Sequence, residues 1–353
     1  MAKKKITIME LAARLGLSKS SVSKALHGSK EVSPATRKRV KEMADELGYQ
    51  ASAIARAIRS GRASSVGLVL RTDGEHSHKP FLSAFIDGIS QRLGKDAYTL
   101  TLATANNEAD MLKIHADLIA TKAVDAFVVP RTMCHDSRAD LLKEQGVPFV
   151  LYGRTTDCDD YAWYDINQEG YFESLVNKLV ELGHSNIAYL GGDDTYFYES
   201  LRRDGFMRGI QAAGITDYVC VDHVVDITEG KHEALQLLKG GNPPTAFVCA
   251  LDRVGIGVIQ AAAQLQILAG KHISVAGYDG IPEGEFCQPS LSTCEVDNFK
   301  SGFQIADMVL RQIGGEKVSS LQVLGEAKTQ WRGSTGPALF QSAALADLIN
   351  QLN

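Results

Sequence analysis

The sequence has few cysteines and no long apolar stretch. Its six cysteines are scattered without a C-x-x-C pair, which argues against a disulfide framework and against a cysteine-ligated zinc site. This cysteine usage predicts a reducing compartment. The basic run Lys3–Lys5 is not followed by an apolar segment, and no stretch approaches the roughly 18 apolar residues of a membrane span. We therefore expect a cytoplasmic protein.

Common catalytic and cofactor motifs are also missing. The sequence contains no G-x-S-x-G, no H-E-x-x-H and no G-x-x-x-x-G-K-[ST] motif. The run Gly255-Ile256-Gly257 lacks the third glycine of a dinucleotide fingerprint. Asp73, His76 and His78 could hold a metal ion, but histidines in such a polar segment are usually solvated. We therefore expect no enzyme, no cofactor and no metal site.

Charge is distributed unevenly over the 353 residues. The net charge is -5 at pH 7, but residues 1–62 carry 14 Lys and Arg against 5 Asp and Glu, whereas the remainder carries 23 against 37. A basic N-terminal segment followed by an acidic remainder is typical of nucleic-acid-binding proteins. A charged surface that is only solvated is the alternative. The length predicts one small domain and one large or bilobed domain.

Three short helices are predicted in the basic segment. Thr7 and Glu10 form a capping box, so the first helix begins after Thr7, and Gly16 ends it. Ser18 is the predicted N-cap of the second helix, and the pair Ser33-Pro34 opens the third. Two helices joined by a tight turn form the helix-turn-helix arrangement, in which the second helix enters the major groove of DNA.

The outward positions of the second helix are candidates for DNA contacts. Lysine can donate to guanine O6 and N7 and serine to several base edges, while hydroxyl groups also suit phosphates. We predict base contacts from Lys19, Ser20 and Lys24, and phosphate contacts from Thr7, Ser18, Ser21, Ser23 and Ser33. A small helical bundle without DNA contacts is the alternative.

The whole basic segment resembles the headpiece of the lactose-repressor (LacI/GalR) family. The resemblance covers the run ITIMELAARLGLSKSSVSKALHGSKEVSPATRKRVKEMADELGYQASAIARAIRSGR. It implies a sequence-specific transcription regulator, more often a repressor, that binds a pseudo-palindromic operator as a homodimer and responds to a small-molecule effector. An all-α headpiece followed by a bilobed α/β effector domain, similar to periplasmic binding proteins, is the implied fold.

The segment Ser52–Ile58 corresponds to the hinge of the family. Seven residues are too few for a stable isolated helix in water. The resemblance implies that Ala55, Arg56 and Ile58 contact DNA, with Ile58 as an apolar wedge in the minor groove. Packing of Ile58 within a linker is the alternative. Ala51 stands where the family usually has proline.

Beyond residue 63, short apolar runs alternate with amphipathic stretches, which predicts βαβ units and mainly parallel sheets. The predicted strands are Val66–Leu70, Tyr98–Leu102, Ala126–Val129, Phe149–Leu151, Ile187–Leu190, Ala246–Ala250 and Ile273–Gly277. Because roughly 270 residues is large for one doubly wound sheet, we expect two lobes with a cleft between them. The resemblance implies chain crossings near 161–164, 290–295 and 324–328.

Candidate effector residues follow the predicted strands or come from the resemblance. The resemblance assigns Arg202, whose guanidinium can donate to two hydroxyls at once, and Asp279, whose carboxylate can accept from them. An ion pair for Arg202 and a turn cap for Asp279 are the alternatives. Asp73, Phe81 and Arg131 are further candidates, because loops after parallel strands face the cleft in this fold.

The ligand set differs from the common family pattern. Leu251 stands where many members have a cleft asparagine, and the resemblance favours a sugar over a purine as effector. The aromatic residues that could stack on a sugar or belong to the core are Tyr152, Trp163, Tyr164, Tyr196 and Phe197.

The C-terminal segment Phe340–Asn353 carries Leu345, Ile349 and Leu352 at 4,3 spacing, similar to a tetramerisation tail of the family. It spans barely two heptads, so a dimer is favoured and a tetramer is the alternative. The predicted domains are the helix-turn-helix at 1–50, the hinge and linker at 51–62, the effector and dimerisation domain at 63–336, and the tail at 337–353.

Overall fold

A computed structural model describes residues 6–26, 28–49, 61–72 and 82–352. The chain forms two compact units, Met1–Ala63 and Ser64–Asn353. Within the described residues, no helix is long and apolar enough to cross a membrane.

The first unit contains the helices α1 (Ile8–Leu15), α2 (Lys19–Leu26) and α3 (Pro34–Glu46). The capping box predicted for α1 is confirmed, because the Glu10 amide donates to Thr7 Oγ1 at 3.2 Å and the Thr7 amide donates to Glu10 Oε2 at 2.8 Å. The three helices enclose one small core of Leu11, Ala12, Leu15, Val22, Ala25, Val32, Val40 and Ala44.

The second unit begins with a six-stranded parallel sheet in the order β11-β5-β4-β3-β1-β2. Its strands are β1 (Ser65–Arg71), β2 (Thr99–Ala105), β3 (Ala126–Pro130), β4 (Phe149–Tyr152), β5 (Ala162–Ile166) and β11 (Gln322–Gly325). The helices around it are α4 (Leu82–Lys95), α5 (Glu108–Ala120), α6 (Ser137–Glu144) and α12 (Asn298–Ile313). We call this sheet and its helices the first lobe.

Two apolar clusters cover the two faces of this sheet. Phe85 of α4 and Ile305 of α12 belong to one cluster, and Met111 of α5 and Leu142 of α6 belong to the other. The helices α4 and α12 approach so closely that a Cβ at Gly88 would overlap the backbone of α12. Burial on both faces explains why the inner strands β1, β3 and β4 are nearly continuous apolar runs, whereas the edge strands β2 and β11 are partly exposed.

A four-stranded parallel sheet in the order β7-β6-β8-β9 forms the second lobe. Its strands are β6 (Asn186–Leu190), β7 (Asp217–Val221), β8 (Ala246–Cys249) and β9 (Ser274–Ala276). Its helices are α7 (Gln168–Glu181), α8 (Phe197–Ala212), α9 (Ile227–Leu238), α10 (Asp252–Gln264) and α11 (Pro282–Phe286). The predicted fold class, a helical headpiece with a bilobed α/β domain of parallel sheets, is confirmed.

The chain passes between the lobes three times. The first passage follows the end of β5 at Ile166, so the expected crossing at 161–164 was too early by a few residues. The strands β10 (Thr293–Glu295) and β12 (Lys328–Gln330) lie at the other two passages and pair with each other in an antiparallel two-stranded sheet.

The C-terminal helix α13 (Ser342–Leu352) packs on its own chain. Leu345 and Ile349 are buried in the core of the second lobe, and Leu352 packs against the same cluster. The apolar face that the sequence offered for tetramerisation is therefore covered within the subunit. A 4,3 spacing indicates an amphipathic helix but does not say which surface the helix meets.

Candidate functional site

The helix α2 exposes the side chains predicted to reach DNA bases. Lys19 and Ser20 are exposed in its first turn, and Lys24 is exposed and paired with Glu31. Ser18 caps α2, since the Ser21 amide donates to Ser18 Oγ at 3.0 Å. In this arrangement the hydroxyl of Ser18 already satisfies one of the free amides at the helix start.

The second unit contains a cleft of about 460 Å³. Side chains of both lobes line it. The first lobe contributes Arg131, Thr132, Tyr152, Asp165 and Asn298, and the second contributes Gln168, Asp193, Tyr198, Arg202, Leu251, Arg253, Tyr278 and Asp279. A volume in the range of about 300 to 1,000 Å³ and a mixture of aromatic and polar groups are typical of small-molecule sites.

Arg202 is a buried cation of the cleft that is held from several sides. Its Nε donates to Gln168 Oε1 at 2.7 Å and its Nη1 donates to the Ala250 carbonyl at 2.6 Å. Its guanidinium lies 4.5 Å from the ring centre of Tyr198 and 4.0 Å from that of Tyr278. Only the Nη2 edge is left for the cleft, so the orientation of the cation is fixed before any ligand binds.

Asp279 faces this edge. Its Oδ1 lies 3.7 Å from Arg202 Nη2, and 39% of its side-chain surface is exposed. Loss of hydration raises the pKa of Asp279 to about 7, and the charge of Arg202 limits the rise. The following helix α11 begins after Ile281 without a side-chain cap, so the alternative of a capping role for Asp279 is not what the structure shows.

A buried carboxylate holds the loop that carries Asp279. Asp252 accepts from Thr293 Oγ1 at 2.6 Å and from the Ile281 amide at 2.9 Å, and the Gly280 amide donates to Thr293 Oγ1 at 3.2 Å. Asp279 itself has φ 119°, a conformation that L residues adopt only when neighbours impose it. Burial raises the pKa of Asp252 to about 6, although these hydrogen bonds oppose the shift.

Two known families match separate parts of the chain. The family described as bacterial regulatory proteins, lacI family, matches residues 7–52, and the family described as periplasmic binding protein-like domain matches residues 176–335. The chain is 30% identical over 341 residues to the HTH-type transcriptional regulator AglR of Rhizobium meliloti (strain 1021), covering 94% of this chain and 95% of AglR. The chain belongs to the lacI family.

Solved structures agree with this family membership. The lac repressor dimer bound to operator and the anti-inducer ONPF is similar with a TM-score of 0.79, 22% identity, and coverage of 94% of this chain and 100% of that one. The complex of the transcriptional regulator CelR with cellobiose has a TM-score of 0.70, 23% identity and the same coverage. These two structures show that the fold is shared. The family match and the similarity to AglR show that the chain is a lacI-family DNA-binding transcription regulator, and this family consists of regulators rather than enzymes.

In this lacI-family regulator, the structure brings three of the predicted effector residues to one cleft. Arg202 and Asp279 face each other there, and Arg131 lies on the wall contributed by the first lobe. Leu251 also lines the cleft, at the position where an asparagine was expected from the family pattern. The predicted residues Asp73 and Phe81 lie outside the described residues, as do the hinge residues Ala55, Arg56 and Ile58 and the histidines of the metal alternative, His76 and His78.

Sequence reasoning missed the residues that orient Arg202. Gln168 is in the first turn of α7, directly after the first passage between lobes, and Tyr198 and Tyr278 enclose the guanidinium. The predicted aromatic Tyr152 lines the cleft, whereas Trp163 and Tyr164 are not among its described lining residues. The proximity of Gln168 to the first crossing is the one signal that could have indicated it.

Among the described residues, one group of side chains has the spacing of a cation site. Asp193, Asp194 and His223 offer ligand atoms that all lie within 4.8 Å of one another, and Asp193 lines the cleft. Asp194 and His223 are exposed. Exposed acidic groups of this kind are common without a metal ion, so we assign no metal site to them.

Proposed function

We propose that this lacI-family regulator is a repressor that binds a pseudo-palindromic operator as a homodimer, and that a sugar in the cleft controls this binding. The observation that carries the proposal is the fixed pair of Arg202 and Asp279 in a cleft between two lobes. The lac repressor, solved as a dimer on its operator, supports the DNA-binding part by similarity of fold.

The chemistry of the cleft suits a neutral polyhydroxylated ligand. Arg202 presents donors and Asp279 presents an acceptor less than 4 Å apart, which matches two neighbouring hydroxyl groups of a sugar. The lining contains as many arginines as aspartates, since Arg131, Arg202 and Arg253 are matched by Asp165, Asp193 and Asp279. The regulator CelR, of similar fold, has been solved with cellobiose.

The DNA-binding part of the proposal rests on the headpiece and the segment after it. Lys19, Ser20 and Lys24 of α2 would read bases, while Thr7, Ser18, Ser21 and Ser23 would contact phosphates. Residues 51–62 would form the paired hinge that enters the minor groove, with Ala55, Arg56 and Ile58 in contact with DNA.

Selection of bound fragments from a random duplex library tests the DNA-binding part. The salt concentration should be about 150 mM, where non-specific binding is weakened. We expect enrichment of one pseudo-palindromic site, as two recognition helices of a dimer require. Recovery of a single half-site would contradict the dimer, and recovery of no preferred sequence would contradict an operator-binding role.

The selected site then serves to test the effector part. A panel of mono-, di- and trisaccharides that includes cellobiose is titrated against the protein on this DNA. We expect at least one sugar to change the affinity, and Arg202→Lys to abolish the change while keeping DNA binding, because lysine cannot keep both hydrogen bonds and both ring contacts. The neighbouring Arg203→Lys, which alters an exposed pair with Asp222, is the matched control and should respond normally.

A normal response of Arg202→Lys would show that the effector binds elsewhere. Failure of every sugar, with DNA binding intact, would show that the effector is not a sugar of this size.

A further inference from the structure

Five side chains form one stack, which we call the Arg-Tyr stack: Arg131, Tyr196, Tyr198, Arg202 and Tyr278. All of them except Tyr196 line the cleft. The Arg131 guanidinium lies 4.1 Å from the ring centre of Tyr196, and the rings of Tyr196 and Tyr198 are nearly parallel at 8° with centres 5.5 Å apart. Arg202 then lies between the rings of Tyr198 and Tyr278. Each side chain of the stack therefore contacts the next one, from Arg131 to Tyr278.

The stack joins the two lobes. Arg131 belongs to the loop after β3 in the first lobe, whereas the other four residues belong to the second lobe. The backbone connects the lobes at the same place, because the Phe197 amide donates to the Thr132 carbonyl at 3.0 Å and Met133 forms an antiparallel bridge with Tyr196. This contact is separate from the three covalent passages of the chain.

The loop is held firmly on the side of the first lobe. Arg138 is buried and paired with Asp136 at 2.6 Å, and it donates at 3.0 Å to both the Pro130 and the Arg131 carbonyl. Arg131 has φ 52°, a left-handed conformation that its neighbours impose. The anchored backbone directs the Arg131 side chain over Tyr196.

The contacts of Arg131 favour a role between the lobes. Among the described residues, no carboxylate lies within ion-pair distance of its guanidinium, and its partner is the ring of Tyr196, which is itself 9% exposed. A cation on a largely buried aromatic face is held more strongly than one at an open surface.

We propose that the Arg-Tyr stack is an interlobe latch: Arg131 on Tyr196 holds the lobes together before effector binds and aligns Arg131 with Arg202 along one wall. The latch concerns the protein without effector, so it goes beyond the proposed function and can be tested independently of it. It makes Tyr196 a positioning residue for the cleft.

The amide of Phe197 reports this latch directly. Phe197 is the first residue of α8, where an amide has no partner within the helix, and its acceptor Thr132 lies in the other lobe. Hydrogen exchange of this amide in the effector-free, full-length protein therefore follows opening between the lobes. Amides in the middle of α8, such as that of Gly205, report the stability of the second lobe itself.

We expect Arg131→Met and Tyr196→Leu each to raise the exchange rate of the Phe197 amide about threefold to thirtyfold, the range for loss of a cation-aromatic contact. The matched controls Arg131→Lys and Tyr196→Phe keep a cation and an aromatic face, and should stay close to the parent rate. The exchange of Gly205 should not change in any of the four.

Two results would overturn the latch. An unchanged Phe197 rate in Arg131→Met would show that the stack does not hold the lobes, and an equal rise at Phe197 and Gly205 would show general loss of stability in the second lobe. Neither result would affect the DNA selection or the sugar titration, so failure of the latch and failure of the proposed function can be told apart.

Discussion

Individual residues decide how this protein tolerates charge inside its cleft. Arg202 is buried, but two hydrogen bonds, two aromatic faces and the carboxylate of Asp279 replace the water that it loses. Asp279 has fewer compensating partners among the described residues, and its pKa is correspondingly raised to about 7. The pair is therefore partly uncompensated without ligand, which favours a ligand that supplies hydroxyl groups to both.

The raised pKa of Asp279 predicts a specific pH dependence of stability. Between its ordinary pKa near 3.9 and the folded-state value of about 7, the folded protein keeps a proton that the unfolded chain releases. This contribution to the free energy of unfolding is complete below about pH 4 and is lost as the pH rises to about 7. Asp279→Asn should remove it, as measured by urea unfolding across this range.

The exposed Asp159 offers the control for this measurement. The substitution Asp159→Asn should leave the pH dependence as it is in the parent protein. If the free energy of unfolding changed with pH in the same way in the parent and in Asp279→Asn, this would contradict a raised pKa at Asp279. Asp252, whose pKa is raised to about 6, titrates in the same range, so the difference between parent and variant is the informative quantity.

At the level of elements, the loop Gly277–Ile281 and the strand β10 act as one unit. Asp252 at the start of α10 contacts both of them, and a Cβ at Gly277 would overlap its carboxylate. Since β10 lies at a passage between the lobes, the loop that carries Asp279 is tied to the region where the lobes are joined. The hydrogen bonds of Asp252 thus connect the loop that carries Asp279 to the region between the lobes.

Thr293→Val tests this unit, since valine keeps the shape of threonine without its hydroxyl. Asp252 Oδ1 and the Gly280 amide would each lose a buried partner. We expect a loss of about 1 to 3 kcal/mol in the free energy of unfolding for such unsatisfied groups. Thr293→Ser keeps the hydroxyl and should recover most of the loss. If Thr293→Ser were as unstable as Thr293→Val, the methyl group and not the hydrogen bonds would hold the loop.

The whole molecule is divided by charge, with a net charge of +9 in residues 1–62 and -14 in the rest. This division keeps the DNA-binding surface attractive to phosphate, while the acidic body is repelled by it. A charge of this kind supplies affinity without sequence preference, so sequence preference requires base contacts, which we propose for α2.

The salt dependence of DNA binding follows from this division. Each phosphate contact should contribute about 0.9 to the slope of log affinity against log salt concentration. Because Lys19 is proposed to read a base, Lys19→Ala should weaken binding to the selected site more than binding to other sequences. A uniform loss of affinity, with the magnitude of the salt slope lowered by about one unit, would contradict this and indicate a phosphate contact. The exposed Lys300 of the acidic body is the control, and Lys300→Ala should change neither quantity.

The sequence by itself determined the local structure of the headpiece and the order of the strands along the chain. The caps at Thr7, Ser18 and Ser33 depend on residues three positions away, so they can be predicted from the sequence. Apolar runs indicated seven strands of the two lobes, because such a run is also a local feature of the sequence. The family resemblance added Arg202 and Asp279.

Only the tertiary structure decided what surrounds these residues. Gln168 and Tyr278 reach Arg202 from other elements, and Arg131 reaches Tyr196 from the other lobe, whereas Tyr198 lies only four residues before Arg202 on α8. The contacts from other elements depend on the tertiary fold. The packing of α13 on the second lobe could not be predicted from the sequence either. Such contacts join positions distant in sequence, and their geometry depends on strand order and lobe closure, which no local periodicity encodes.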